Sequence, residues 1–376
     1  MAAEQSSSVG QVAAPALLAP QPALRRIPWL RWAATLLLIA ALLIAPMVLS
    51  EFRLGLLARF LTYAIVALGL DLIWGYTGIL SLGHGVFFGL GAYCTAMYLK
   101  LEATAGKMPD FMAWSGVDDM PFWWKPFRYA WFAIPASILI PMLLGAILGY
   151  AAFRNRIKGV FFSILSQALA LVMVTLFIGQ QGYTGGTNGM TNFKTFLGQD
   201  LNSDHVGHLL YWVTAVILIG VYFGCRGLVN SKVGKILVAI RDGENRARFI
   251  GYDPVAYQTF VYALSAGLAG LAGMLFVMQE GLITPTKMDI LMSIKMVLWV
   301  AIGGRATLFG AMLGAIVVNS GENLLSEKYP ETWSYMLGAS FLAVVLFLPQ
   351  GIVGWVMGIP RSPLWKKFAK SSEATP

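Results

Sequence analysis

Charge is what this chain lacks most. Asp, Glu, Lys and Arg make up 12% of its 376 residues, about half the share found in soluble domains. With 57% of the residues hydrophobic and gathered in long runs, the composition excludes a soluble fold and implies an all-α polytopic membrane protein. Histidine and cysteine are scarce too. Three histidines (His84, His205, His208) and two cysteines (Cys94, Cys225) without metal-ligand spacing offer no material for a metal centre or a Ser/His/Asp site. Both cysteines lie in or beside apolar segments, as small core residues do. HExxH and GxSxG are absent, and so is GxxxxGK[ST]. The nearest text to the last, VNSKVGKI at 229–236, lacks the leading glycine and the hydroxyl after Lys235. No catalytic residue, metal or cofactor is therefore expected, and ATP is not expected to bind this chain. The net charge of +9 does not point to nucleic acid, because the basic residues sit in short loops beside apolar runs rather than along one stripe.

What is present is a series of ten apolar runs: 29–50, 57–76, 84–99, 129–153, 159–180, 209–225, 256–279, 291–303, 308–321 and 333–350. A straight crossing needs about 20 residues, so 291–303 and 308–321 read as tilted or as a re-entrant pair, giving eight to ten crossings. Residues 1–28, rich in Ala, Ser, Pro and Gln, read as a disordered tail, and 359–376 as a basic one, with one membrane domain at 29–358 between them. The first run has no small-residue cleavage site and reads as an uncleaved span. Ten spans divided five and five would begin on opposite sides of the membrane, the parity of two inverted halves.

Loop charge sets the expected orientation. With the N-terminus inside, the inner segments collect most of the basic residues, including Arg154, Arg156, Lys158, Arg226, Lys232, Lys235 and the C-terminal lysines. The acids Glu51, Glu102, Asp110, Asp118, Asp119, Asp200 and Asp204 gather in the other loops. The positive-inside rule then places both termini and the loop 226–255 in the cytoplasm.

Within that loop, KILVAIRDGENRARFIGY at 235–252 keeps Ile236, Ile240, Ala247 and Ile250 at helical spacing amid charges. A continuous helix of about sixteen residues, some 24 Å long, would lie along the surface and suit a groove on another protein. The plain alternative is an amphipathic connector resting on lipid headgroups. Gly251 is placed to end the helix in a left-handed cap, and Asp253-Pro254 to start the next.

Other stretches carry polar groups at membrane depth. GYTGILSLGHGVFFGLG at 75–91 holds six glycines with Thr77, Ser81 and His84, either lining a pathway or packing helices through small residues. Asp71 and Lys295 stand alone in apolar runs and must face protein or water; Lys295 has Asp289 and Glu280 as candidate partners. GYTGGTNG at 182–189 is a turn cluster, read as a tight external turn or a gate. Trp114, Phe122, Trp123, Trp124 and Phe127 form an interfacial belt or a docking surface. Gly145/Gly149, Ala266/Gly270 and Gly310/Gly314 are small-xxx-small seams, internal or facing a partner.

Three ordered motifs, GYTGILSLGHGVFFGLGAY at 75–93, TGGTNGM at 184–190 and GKILVAIRDGENRARFIGYD at 234–253, resemble the permease subunits of branched-chain amino acid type ABC transporters, of the LivM-like class. The likeness runs from about 60 to 358. The loop at 109–127, the stretch 284–319 and SEKYPETW at 326–333 look like the C-type permease of the urea-transporting branch. The resemblance implies that the 239–251 segment is a coupling helix seated in an ATPase cleft, with Ala239, Ile240, Arg241, Asp242, Glu244, Ala247 and Gly251 matching the pattern. It further implies a second homologous permease subunit, two ATPase subunits, a periplasmic solute-binding protein and an inner-membrane location. A small neutral solute such as urea would pass polar groups such as Thr77, Ser81, His84, Ser163, Gln167 and Thr175. Branched-chain amino acids or short amides are the alternative cargo. The rival class is a stand-alone secondary transporter or channel using Asp71, His84 and Lys295 as an ion relay. An intramembrane enzyme lacks paired catalytic residues.

Overall fold

The computed structural model describes residues 28–332, 335–336, 338–339, 342 and 351–356. The tails expected at 1–28 and 359–376, apart from Pro28, and most of the run at 333–350 lie outside the described residues. By packing, the described residues fall into two units, one of them the start of helix α1 (Pro28–Val48) as far as Ala40 and the other beginning at Ala41.

The second unit is helical, as the absence of water in a bilayer requires of a spanning backbone. After α1 come α2 (Glu51–Thr77), α3 (His84–Ala103), the short α4 (Asp110–Trp114), α5 (Ala130–Arg154), α6 (Val160–Gly179) and the single turn α7 (Gln181–Thr184). Then follow α8 (Asp204–Asn230), α9 (Lys232–Phe249), α10 (Pro254–Glu280), α11 (Ile290–Gly303), α12 (Leu308–Lys328) and α13 (Gly351–Val356). Six of these, α2, α5, α6, α8, α10 and α12, are long and apolar enough to cross a membrane. The protein is an all-α polytopic membrane protein. One expectation changes: the run at 308–321 continues as helix to Lys328, so α12 has 21 residues and a length of about 31 Å, enough for a crossing by itself. Polar residues in its last two turns had hidden that extension. α11 stays short at 14 residues.

α10 is the centre, packed against α2, α3 and α5. It can be so because its inward positions are small: Ala263, Ala266, Gly267, Ala269, Gly270, Ala272 and Gly273. A Cβ at Gly91 of α3 would fall on the Gly270 backbone, and one at Gly273 on the Phe88 carbonyl. Gly145 of α5 faces the Ala266 methyl, where an added Cβ would lie 2.6 Å away. Gly310 and Gly314 do the same for α12 against Gly303 and the Trp299 carbonyl of α11. All three small-residue seams are thus used inside the chain. The outer faces of α5 and α6 expose Leu139, Leu143, Ile147, Phe161, Ile164 and Leu171, a surface suited to lipid.

Loops that charge counting assigned to one side also meet one another. At one end, β1 (Met190–Thr191) pairs with β4 (Leu282–Ile283), and β2 (Thr195–Phe196) with β3 (Gln199–Asp200). There Lys100 Nζ donates to Asp110 Oδ2 at 3.0 Å and to the Thr191 carbonyl at 3.2 Å, which holds the Asp110 carboxyl below the usual range. The GYTGGTNG cluster does not project. Gly189, at φ +68°, brings its backbone against the Ile283 carbonyl, where a Cβ has no room. The aromatic loop divides: Phe127 is buried and Trp124 Nε1 donates to the Tyr183 carbonyl at 3.1 Å, while Trp114, Phe122 and Trp123 stay exposed. At the opposite end lie the C-terminal turn of α2, the α5–α6 and α11–α12 turns, and α9.

Candidate functional site

α9 differs from the continuous bar expected. It starts earlier, at Lys232, and is broken at Gly243, whose backbone is extended (φ −177°, ψ 81°). Glycine costs about 1 kcal/mol against alanine inside a helix, so this is the weakest point of the segment. Ties on either side hold the break. Before it, Arg241 Nη1 donates to the Gly75 carbonyl at 2.7 Å and its Nε to Asp242 Oδ1 at 3.0 Å. After it, Glu244 pairs with Arg248 at 2.8 Å and with Lys158 of the α5–α6 turn. The buried face is Gly234, Leu237, Ile240 and Ala247. Ile236 is half-buried and Ile250 is 76% exposed, so the expected face is right at Ile240 and Ala247 only. The i, i+3 series Gly234–Leu237–Ile240 was the signal passed over.

The end of α9 does follow the sequence. Gly251 takes φ +95°, its N–H bonds the Arg248 carbonyl at 2.9 Å, and the Tyr252 N–H bonds the Ala247 carbonyl at 3.2 Å, the paired bonds of a Schellman cap. Asp253 then caps α10, its Oδ1 accepting from the Val255 N–H at 3.0 Å. This tight reversal leaves Phe249 91% and Ile250 76% exposed, with Tyr252 beside them. Ala239 and Asp242 also face outward. The charged helix therefore carries an exposed apolar tip at one end of the bundle.

The body that α9 grips is the last turn of α2. Helix ends leave carbonyls without intrahelical donors and carry negative dipole charge, which suits cations. Arg241 takes the Gly75 carbonyl; Arg305, from the α11–α12 turn, takes the Trp74 carbonyl at 3.1 Å and lies over the Trp74 ring. Asp71, of the two settings open to it, faces protein rather than water: it is fully buried, with Oδ1 accepting from the Ala306 N–H at 2.7 Å.

The polar residues of the Gly-rich stretch are brought together only in part. His84 Nδ1 meets Ser81 Oγ at 3.0 Å and Nε2 meets Ser265 Oγ at 2.8 Å, with Ser81 also 3.4 Å from the Tyr262 hydroxyl. Both ring nitrogens therefore have partners within the chain, in a fully buried cluster. Ser163 donates to the Leu80 carbonyl at 2.9 Å, and the Leu82 N–H donates to Ser166 Oγ at 2.9 Å, tying α6 to the same loop. Thr77 bonds back to the Ile73 carbonyl at 2.5 Å; Thr175 is exposed on α6 and bonds the Leu171 carbonyl; Gln167 is half-buried. Ser166, Tyr262 and Ser265 were missed, although Tyr262 and Ser265 stand at helical i, i+3 spacing. Lys295 pairs with Glu322 at 2.5 Å rather than with Asp289 or Glu280; Glu280 is held by Arg59 at 2.6 Å, and Asp289 caps α11. No group of three or more His, Cys, Asp or Glu that could hold a metal occurs among the described residues.

The model of the family described as branched-chain amino acid transport system / permease component matches residues 52–345. The chain belongs to this family. The permease is 24% identical over 364 residues to the high-affinity branched-chain amino acid transport system permease protein LivM of Salmonella typhimurium, covering 90% of this chain and 79% of that one. It is 23% identical over 301 residues to BraD of Pseudomonas aeruginosa, covering 78% and 92%, and 25% identical over 331 residues to the probable LivM of Methanocaldococcus jannaschii, covering 80% and 91%. No solved structure matches the permease. The family region takes in α9, the last turn of α2 and the α11–α12 turn together.

Proposed function

We propose that this permease is one membrane half of an ATP-driven importer, paired with a second homologous permease subunit, two ATPase subunits and an external solute-binding protein. The observation that carries the reading is the exposed Phe249–Ile250–Tyr252 tip on a helix anchored through Arg241 and Glu244 to two different membrane segments. A tip free to enter a cleft, on a base tied to the bundle, passes a push from an engine outside the membrane. Sidedness follows the positive-inside rule, with α9 and both termini cytoplasmic. Ala239, Ile240, Arg241, Asp242, Glu244, Ala247 and Gly251 are the coupling residues: Ile240 and Ala247 seat the helix, Arg241 and Glu244 tie it, and Gly251 turns the tip.

The cargo is a small solute. The names of the curated relatives support branched-chain amino acids; the motifs at 109–127, 284–319 and 326–333 support urea. Of the pathway residues, Ser81, His84 and Ser163 gather where α3, α6 and α10 meet, and Thr77, Gln167 and Thr175 lie apart from them.

The test is a cross-link. Cys94 and Cys225 are buried, so Phe249→Cys supplies a thiol that stands out at the surface. In inside-out membrane vesicles it should join to an ATPase subunit through a short bifunctional reagent. Labelling of that cysteine by an impermeant thiol reagent added outside intact cells would refute the reading.

A further inference from the structure

Asp71 is the buried acid that the coupling helix, the polar cluster and the helix seams leave unused. It is fully buried on α2, one helical turn before Gly75. Its Oδ1 accepts the Ala306 N–H at 2.7 Å, and the Tyr76 hydroxyl donates to the Ala306 carbonyl at 3.0 Å, so both backbone groups of Ala306 are held by α2. Ala306 sits at φ +60°, a left-handed conformation uncommon outside glycine, which persists where surrounding contacts impose it. Gly75 makes the approach possible: a Cβ there would run into Asp71 Oδ1 and lie 2.7 Å from the Ala306 nitrogen. On the other side of the same turn, the Gly75 carbonyl accepts from Arg241 of α9.

We propose that Asp71 is a positioning residue that latches the α11–α12 turn to the last turn of α2, so that a displacement of α9 entering through Arg241 carries the α11–α12 pair with it. The connected sequence is Arg241, Gly75 carbonyl, Asp71 carboxyl, Ala306 N–H. Four groups on three chain segments meet within one helical turn; the first and last joints are hydrogen bonds between named atoms, and the middle one is the α2 backbone, on which Asp71 and Gly75 stand one turn apart. The acceptor side chain is fully buried, and a hydrogen bond partly shielded from water is stronger than one at the surface. Without it, the α11–α12 turn would keep the bonds from Arg305 to the Trp74 carbonyl and from the Tyr76 hydroxyl to the Ala306 carbonyl but lose the one that fixes the Ala306 N–H, so its grip on α2 would loosen. This rests on α9 being the segment that the ATPase moves.

The experiment uses the complete importer, purified with its partners and reconstituted in proteoliposomes, with solute uptake and ATP hydrolysis measured on one preparation. Asp71→Leu removes the acceptor while keeping the branch at Cγ; Asp71→Asn keeps an oxygen acceptor. The latch predicts that Asp71→Leu assembles and hydrolyses ATP but moves about 10-fold less solute per ATP, as loss of a coupling free energy of ordinary size would give. Asp71→Asn stays within about twofold of wild type, since the bond survives without the charge. Equal solute per ATP in wild type and Asp71→Leu overturns the latch, and so does Asp71→Leu failing to assemble while Asp71→Asn assembles, which would make the bond a folding element only. Absence of ATP-dependent uptake by the wild-type complex would instead count against the importer reading itself.

Discussion

Exchanging the charges at the base of α9, Arg241→Glu together with Asp242→Arg, abolishes uptake while the chain still enters the membrane. Arg241 does two things that a carboxylate cannot: it donates to the Gly75 carbonyl, and it places a cation at the C-terminal, negative pole of α2. Glutamate there faces bare carbonyl oxygens. The side chain of Arg241 is about one-third exposed, so water tempers the penalty and the fold survives, but the joint between α9 and α2 does not. Uptake is expected to fall about 100-fold, since a hydrogen bond to a charged group, worth ~1.5–3 kcal/mol, is lost and a carboxylate is set against carbonyl oxygens in its place. Membrane insertion stays intact, because no apolar run is altered. Labelled-solute uptake, normalised to membrane-bound protein by immunoblot, checks this; uptake at the wild-type rate removes α9 from the mechanism.

The second large effect is on the bundle. Gly273→Leu places a Cβ on the Phe88 carbonyl, and α3 could make room only by opening its close contact at Gly91 with the Gly270 backbone one turn away. Over-filling a packed crossing typically costs 1–3 kcal/mol when side chains give way, and about that or more when only backbone is available to move. The variant should fail to accumulate in the membrane. Gly220→Leu on α8 is the matched control, since nothing lies within 4 Å of a Cβ at Gly220. Normal levels of Gly273→Leu in membrane fractions would show that the α3–α10 crossing is looser than described.

Five of the six long spans were legible because a bilayer imposes one length on every crossing, α12 being the exception, and the caps because Gly251 and Asp253-Pro254 act through local backbone geometry. Which helix faces lipid was not legible. α10 and α6 both read as apolar runs, yet α10 is mostly enclosed and α6 mostly exposed, a distinction set by small residues meeting across helices distant in sequence. The partners of the lone charges failed for a related reason. Asp71 bonds a backbone N–H at Ala306, and a backbone donor leaves no mark on the residue type. Lys295 finds Glu322 because α12 runs on as helix past the end of its apolar stretch. The break at Gly243 was visible as a glycine within a helical pattern, but its extended backbone depends on ties to α2 and to the α5–α6 turn.

That this permease has no engine of its own, and that α9 is where one attaches, is tested most directly by reconstitution. Liposomes holding the permease with its partner subunits and external binding protein, and a parallel set holding the permease alone, receive ATP on the α9 side and labelled solute on the other. Solute should accumulate against its gradient only in the complete set and only with ATP. Accumulation by the permease alone would contradict the account.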